Sequence, residues 1–195
     1  MPISKENIAK AVEEVKKNSE KRQFTQSVDL IVTLRDMDLK RPENRINELF
    51  ELPYAPNPDV KIVVFATGDL ALRAERAGSD TVLSRTDIEN FASNKKEAKK
   101  LAQNTDFFLA ETSLMATVGK VLGPILGPRG KMPTPVPPIA PIDNLIQQYK
   151  RMVRVRIRDQ PNAQVRVGTE EMSDEFLAEN IHTLLNLLER RFERG

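Results

Sequence analysis

Behind Ser4, apolar side chains at Ile8, Val12 and Val15 recur at helical spacing, which predicts a helix of about four turns ending near the polar run 18–22. The period then changes. Val28, Leu30, Val32 and Leu34 alternate with Asp29, Ile31, Thr33 and Arg35, the period of two that marks a strand with one buried face. Residues 36–48 are polar and read as a loop, and a second strand is expected over 48–52. Pro53, Pro56 and Pro58 interrupt the chain. Beyond them the texture differs, because residues 60–66 form a continuous apolar run of the kind found in parallel strands buried on both faces. A helix over 69–77, Gly78, a short strand at 81–83, a Lys-rich helix near 94–103, a buried strand at 106–110 and a helix over 113–122 follow. A Gly- and Pro-rich stretch over 123–133, more prolines to Pro141, and a helix near 142–151 complete this middle part. From Val153 the alternation returns. Val153, Val155 and Ile157 interleave with Arg154, Arg156 and Arg158, residues 160–163 read as a turn, and 164–167 as the return strand. Ser173 caps a last helix whose apolar stripe is Leu177, Ile181, Leu184 and Leu188.

The two ends share one style and the middle has another. This predicts an α/β and α+β chain of two domains. A discontinuous α+β domain with antiparallel sheet takes 1–61 plus 153–195, and a three-layer α/β domain is inserted at 62–152. The crossings near 60 and 153 would be adjacent hinge strands.

Composition removes several function classes. There are no cysteines, hence no disulfides, thiolate metal sites or cysteine nucleophiles. No apolar run reaches membrane-spanning length, and residues 1–6 lack the apolar core of a signal peptide, so no membrane partner is expected. The net charge is +2. Residues 1–62 carry 11 basic and 11 acidic side chains, 63–152 carry 12 and 9, and 153–195 carry 7 and 8, so any site for a polyanion must be a local patch.

Four segments hold candidate chemistry. Arg154, Arg156, Arg158 and Arg166 would share one face of a β-hairpin, where guanidinium forks suit phosphate; the plain alternative is a solvated sheet face. Residues 21–27 combine two cations, Phe24 and four hydrogen-bonding side chains, the mixture used in RNA readout; the alternative is a connection with Phe24 in the core. Gly123, Gly127 and Gly130 would present backbone N–H groups to an anion, or else shape a rigid loop that is neither a P-loop nor a dinucleotide fingerprint. Thr67-Gly68-Asp69 follows the first buried strand, where open α/β sheets bind ligands, although Asp69 reads more simply as an N-cap. His182 is the single histidine and falls within the last helix. With no nucleophile elbow and no metal-ligand cluster, neither catalysis nor a cofactor is expected.

The segment 126–133, Leu-Gly-Pro-Arg-Gly-Lys-Met-Pro, resembles the signature of the L-one family of large-subunit ribosomal proteins. Residues 22–30, 165–172 and 177–181 resemble the family's first strand, its second RNA-facing turn and the start of its last helix. Residues 36–45 and the Pro-Pro at 137–138 are similar to its archaeal and eukaryotic members, and the brevity favours the archaeal. The resemblance covers nearly the whole chain. It implies a discontinuous terminal domain with a Rossmann-like insert, and no enzyme. It further implies binding of large-subunit rRNA at the mobile stalk beside the tRNA exit site, help in releasing deacylated exit-site tRNA, and repression of translation through the protein's own mRNA. The implied location is the cytoplasmic ribosome, with a monomer off it. By the same resemblance, RNA contact falls on Arg22, Phe24, Thr25, Gln26 and Ser27, and on Gln164, Arg166, Gly168 and Thr169, with Arg129 and Lys131 as secondary contacts to tRNA or neighbouring RNA. The family's further strand and Thr-Met-Gly turn have no counterpart before Gly195, which would leave the terminal sheet short of an edge strand and weaken rRNA binding. Two other readings stand beside this one: a nucleotide- or small-molecule-binding α/β protein using Thr67-Gly68-Asp69, and a purely structural interaction module.

Overall fold

The computed structural model of the chain describes residues 4–35, 37–41 and 45–192, so part of the 36–45 segment lies outside the described residues. In chain order the elements are α1 (Lys5–Asn18), β1 (Ser27–Thr33), β2 (Ile46–Glu51), β3 (Ile62–Phe65), α2 (Gly68–Arg76), β4 (Thr81–Leu83), α3 (Arg85–Ser93) and α4 (Lys95–Asn104). There follow β5 (Phe107–Glu111), a 3-10 turn at Thr112–Leu114, α5 (Met115–Leu126), β6 (Thr134–Val136), α6 (Ile142–Lys150), β7 (Met152–Ile157), β8 (Asn162–Thr169) and α7 (Asp174–Phe192). The chain divides into two compact units. One comprises the described residues up to Pro58 together with those from Lys150 onward, and the other runs over Asp59–Tyr149.

The terminal unit is two antiparallel strand pairs under two helices. β1 pairs with β8 from Ser27 opposite Thr169 to Thr33 opposite Asn162, with a bulge between Val28 and Asp29. β2 pairs with β7 from Ile46 opposite Ile157 to Glu51 opposite Met152. Alternation does the sorting. Val153, Val155 and Ile157 of β7 and Ala163, Val165 and Val167 of β8 point inward, where they meet Ile8 and Val12 of α1 and Leu177, Ile181, Leu184 and Leu188 of α7. Ser4 Oγ accepts the Asn7 N–H at 3.3 Å and Ser173 Oγ that of Phe176 at 3.3 Å, so both helices begin where their caps predict. Val15 departs from its stripe and is exposed.

The expected β7–β8 hairpin does not form as a ladder, because each strand takes its hydrogen bonds from an N-terminal strand. The connecting turn is itself held by the N-terminal part, since Leu34 N–H donates to the Pro161 carbonyl at 2.8 Å. One side chain ties three segments of this unit together. Asn180 of α7, fully buried, accepts the Tyr54 N–H at 3.0 Å and donates to the carbonyls of Tyr54 at 3.0 Å and Val167 at 2.9 Å. Tyr54 also stacks on Phe176 of α7, with ring centroids 4.0 Å apart.

The second unit is a four-stranded parallel sheet in the order β4-β3-β5-β6. β3 and β5 are buried at every position, as continuous apolar runs require. Val63, Phe65, Phe108 and Ala110 pack with α3, α4 and α5 through Ile88, Ala98, Ala102, Val118 and Leu122. Their neighbours along the strands face the other way, where Phe107 meets Tyr149 of α6 edge to face at 5.4 Å. The result is the three-layer Rossmann-like arrangement.

Three features here depart from the sequence reading. α3 was not expected, though Ser84 and Asp87 form a reciprocal capping box at its start. β6 emerges from the proline stretch. Pro135 cannot donate to a ladder, but an edge strand leaves one side of each residue unpaired, so it is tolerated there. α5 runs to Leu126 and carries Gly123 and Pro124 inside its last turn, so the helix extends past 122.

Candidate nucleic-acid interface

The β1–β8 ladder brings together two segments more than a hundred residues apart in sequence. Its open end sets Ser27 opposite Thr169 and Val28 opposite Gly168, and Asp29 faces Arg166 just past the bulge. Just beyond it, Thr25 and Gln26 meet Glu170 and Glu171. Gln26 N–H donates to Glu170 Oε1 at 2.9 Å, Glu170 N–H returns a bond to the Gln26 carbonyl at 2.9 Å, and Gln26 Nε2 reaches Glu170 Oε2 at 3.2 Å and the Glu20 carbonyl at 2.8 Å. Thr25 Oγ1 donates to Glu171 Oε1 at 2.9 Å. The second turn closes through Met172 N–H to the Thr169 carbonyl at 3.1 Å. Lys16 of α1 pins that turn from behind, donating to the Met172 carbonyl at 2.5 Å and pairing with Asp174 at 2.6 Å.

Exposure separates the expected site residues into two groups. Arg22, Thr25, Ser27 and Gln164 are exposed, Phe24 is 66% exposed, and Gln26 and Arg166 are half-buried. Phe24 is therefore not a core residue, against the plainer reading of that segment. Gln164 Nε2 donates to Asp29 Oδ2 at 3.1 Å across the ladder. Gly168 and Thr169 are buried. A Cβ at Gly168 would fall 2.4 Å from Leu177 Cδ2 and 2.6 Å from Met172 Sδ, so this position shapes the turn from within. Arg166 Nε is buried without a hydrogen-bond partner among the described residues. Sequence reasoning passed over the organising acids Glu170 and Glu171, whose signal was their adjacency to Thr169, and over Lys16, which carried none.

The second unit holds the remaining candidates. Arg129 is exposed and donates from a terminal guanidinium nitrogen to the Ile125 carbonyl at 3.0 Å. Lys131 turns inward, with Nζ donating to the carbonyls of Ala102 at 3.1 Å and Thr105 at 2.6 Å, where α4 ends and its last carbonyls need donors. The glycines of this loop offer no anion nest. Gly127 N–H is bonded to the Gly123 carbonyl, Gly130 N–H to that of Gly127, and Lys131 N–H to that of Leu126. At the end of β3, Thr67 N–H and hydroxyl both bond Glu111 Oε2, at 3.0 and 2.9 Å. Ser113 Oγ bonds Glu111 Oε1 at 2.6 Å, and this bond, ahead of those from Thr67, holds the Glu111 carboxyl below the usual glutamate range against the upward push of burial. A carboxylate thus takes up the N–H and hydroxyl that Thr67 would otherwise offer a phosphate. Asp69 does not cap α2. Thr67 holds the cap position, and Asp69 pairs with Arg73 at 2.8 Å. His182 lies half-buried on α7 beside Asn186. No helix among the described residues is long and apolar enough to cross a membrane, and none of them form a His, Cys, Asp or Glu cluster fit for a metal ion.

Comparison with known proteins agrees with the fold. The model of the Ribosomal protein L1p/L10e family matches residues 15–195. The large ribosomal subunit protein uL1 of Methanothermococcus thermolithotrophicus is 49% identical over 193 residues, covering 99% of this chain and 90% of that protein. Its counterpart in Methanobrevibacter smithii is 47% identical over 190 residues, 97% of this chain and 90% of that protein. That of Pyrobaculum islandicum is 47% identical over 190 residues, 97% of this chain and 85% of that protein.

Proposed function

The chain belongs to the Ribosomal protein L1p/L10e family, a protein of the large ribosomal subunit, and from that premise we propose that its terminal unit grips the rRNA of the mobile stalk through the open end of the β1–β8 ladder. The observation that carries this reading is the juxtaposition of 22–27 with 164–172. It brings a segment with an exposed guanidinium and an exposed aromatic ring next to several polar side chains of β8 and the turn after it. RNA recognition needs that mixture: cations position the backbone, and polar groups and rings read 2′-hydroxyls and unstacked bases. Arg22, Phe24, Thr25, Gln26, Ser27, Gln164 and Arg166 meet the RNA, while Gly168 and Thr169 set the shape of the turn beneath it. In the same reading the protein is a monomer off the ribosome and no enzyme, the second unit reaches exit-site tRNA through Arg129 and assists its release, and the terminal unit also binds a stalk-like structure in the protein's own mRNA and represses its translation.

The nucleotide-binding alternative finds no support at Thr67, because the Glu111 carboxylate there would repel a phosphate. The test is filter retention of a stalk rRNA fragment over a salt series, with a scrambled hairpin as control and the own-mRNA leader as competitor. We expect tight, salt-dependent binding that strongly prefers the stalk fragment, and loss of about 1–3 kcal/mol in Phe24→Ala if the ring stacks on a base. Equal, weak binding to both RNAs refutes the reading.

A further inference from the structure

The far end of the terminal unit carries a second basic feature that the stalk-binding rim does not use. The β2–β7 register sets Ile46 opposite Ile157 and Asn47 opposite Arg156, and continuing it by one residue sets Arg45 opposite Arg158. Side chains at directly opposed positions share a face, as do those two apart on one strand. Arg45, Asn47, Arg156 and Arg158 therefore share the solvent face, and Ile46 and Ile157 lie beneath it, both almost wholly buried. These six residues line an open concavity of about 270 Å³.

Among the described residues, no carboxylate lines the concavity. Asp159 stands 3.7 Å from Arg158 Nε, with its side chain 86% exposed, a solvated pair of small worth. Glu48 is on the opposite face, because it pairs with the buried Val155, and its carboxylate is bound by Arg191 of α7 at 3.1 Å. Arg45 is oriented by its Nε–H bond to the Leu39 carbonyl at 3.0 Å. Three guanidinium groups around one hollow repel each other, and an anion there relieves the repulsion.

We propose that Arg45, Arg156 and Arg158 form a second RNA contact that holds the phosphodiester backbone without reading sequence. The inference rests on the RNA-binding reading above. Guanidinium forks match phosphate oxygens, the described lining has no aromatic ring on which a base would stack, and the hollow lies at the lower limit of small-molecule sites, about 300 Å³. β1 and β8 run the length of the unit between the two ends. At the rise of an extended strand, the contact lies roughly 20 Å from the Ser27–Thr169 end. One unit would then hold its RNA at two points, the near one specific and the far one electrostatic.

The test compares wild type with Arg156→Gln/Arg158→Gln and Arg156→Lys/Arg158→Lys, each first checked for native circular dichroism and melting. Binding of the stalk fragment and of a scrambled hairpin is measured over a salt series, with polyglutamate as a third ligand. For the Gln pair we expect the slope of log affinity against log salt to shallow by about 1.5 for both RNAs, because each lost phosphate contact removes about 0.7–0.9. The ratio of stalk to scrambled affinity should stay as in wild type. The Lys pair should keep the slope and bind more weakly, since it retains the charge without the fork. An unchanged slope in the Gln pair overturns the proposal. So does Arg-dependent binding of polyglutamate with no change towards RNA, which would assign the patch to an acidic protein. If wild type does not discriminate the two RNAs but the Gln pair still shallows the slope, the stalk reading fails and this contact stands.

Discussion

Replacing Asn180 should unsettle the terminal unit more than any exposed substitution at its RNA rim. The side chain is fully buried and makes three hydrogen bonds, to the Tyr54 N–H, the Tyr54 carbonyl and the Val167 carbonyl. Asn180→Ala leaves all three backbone groups without their partner. An unmet buried polar group costs about 1–3 kcal/mol. Val167 is fully buried and takes the whole penalty, whereas Tyr54 is half-buried, so water recovers part of its two bonds. The expected loss is about 3–5 kcal/mol, a large share of the roughly 5–15 kcal/mol that holds a domain together. Asn180→Asp adds a sign test. Its carboxylate still accepts from Tyr54 but faces two carbonyl oxygens with no proton to give. The folded state would raise its pKa, so the charge penalty is full at neutral pH and is lost as the pH falls towards the unfolded value, where the protonated acid donates to one of the two carbonyls and leaves the other unmet. Urea melts followed by circular dichroism give the magnitude, and amide exchange at Tyr54 and along β8 assigns it to this unit. A loss below about 1 kcal/mol in Asn180→Ala, with those amides still protected, would refute the clamp.

Two further substitutions test the turn and the second unit. Gly168→Ala drives a Cβ to 2.4 Å from the fully buried Leu177 and 2.6 Å from Met172, so it should cost about 1–3 kcal/mol and displace the 169–172 turn, weakening stalk RNA binding as well; a variant as stable and as tight as wild type would contradict the packing. Glu111→Gln removes a carboxyl whose pKa is lowered by Ser113 and Thr67. A depressed pKa gives stability that is present at neutral pH and lost as the pH falls through the folded value, so the gap in urea midpoint between wild type and variant should be widest near neutrality and narrow in acid; a constant gap would argue against it.

What periodicity can report, it reported. The runs around β3 and β5 are buried on both faces, the 28–34 alternation is the inward and outward sequence of β1, and the caps at Ser4 and Ser173 start their helices. The misses have physical causes. α3 buries only Ile88, so its stripe is faint, and the legible signal was the spacing of Ser84 and Asp87. β6 hid behind Pro135, which reads as a breaker unless the strand is known to lie at a sheet edge. The 153–167 segment reads as a hairpin by local rules, because consecutive alternating strands usually pair. Its actual partners, β1 and β2, lie more than a hundred residues away and compete successfully for the same hydrogen bonds.

The same distance limits how far a site can be read from a string of residues. Nothing in the spacing of 22–27 and 164–169 says that they meet; the resemblance supplied that, and the β1–β8 register gives the reason. Charge is equally mute by itself. Lys131 and Arg156 are both cations near predicted turns, yet their surroundings differ in kind. α4 ends with carbonyls that need a donor, and Lys131 supplies it, so its ammonium is directed inward. β7 pairs its backbone completely with β2, so Arg156 has no backbone to serve and its guanidinium is left to the solvent face. Which cations are available to RNA is thus decided by which backbone groups the fold leaves unmet, a property of tertiary pairing that the count of basic residues does not contain.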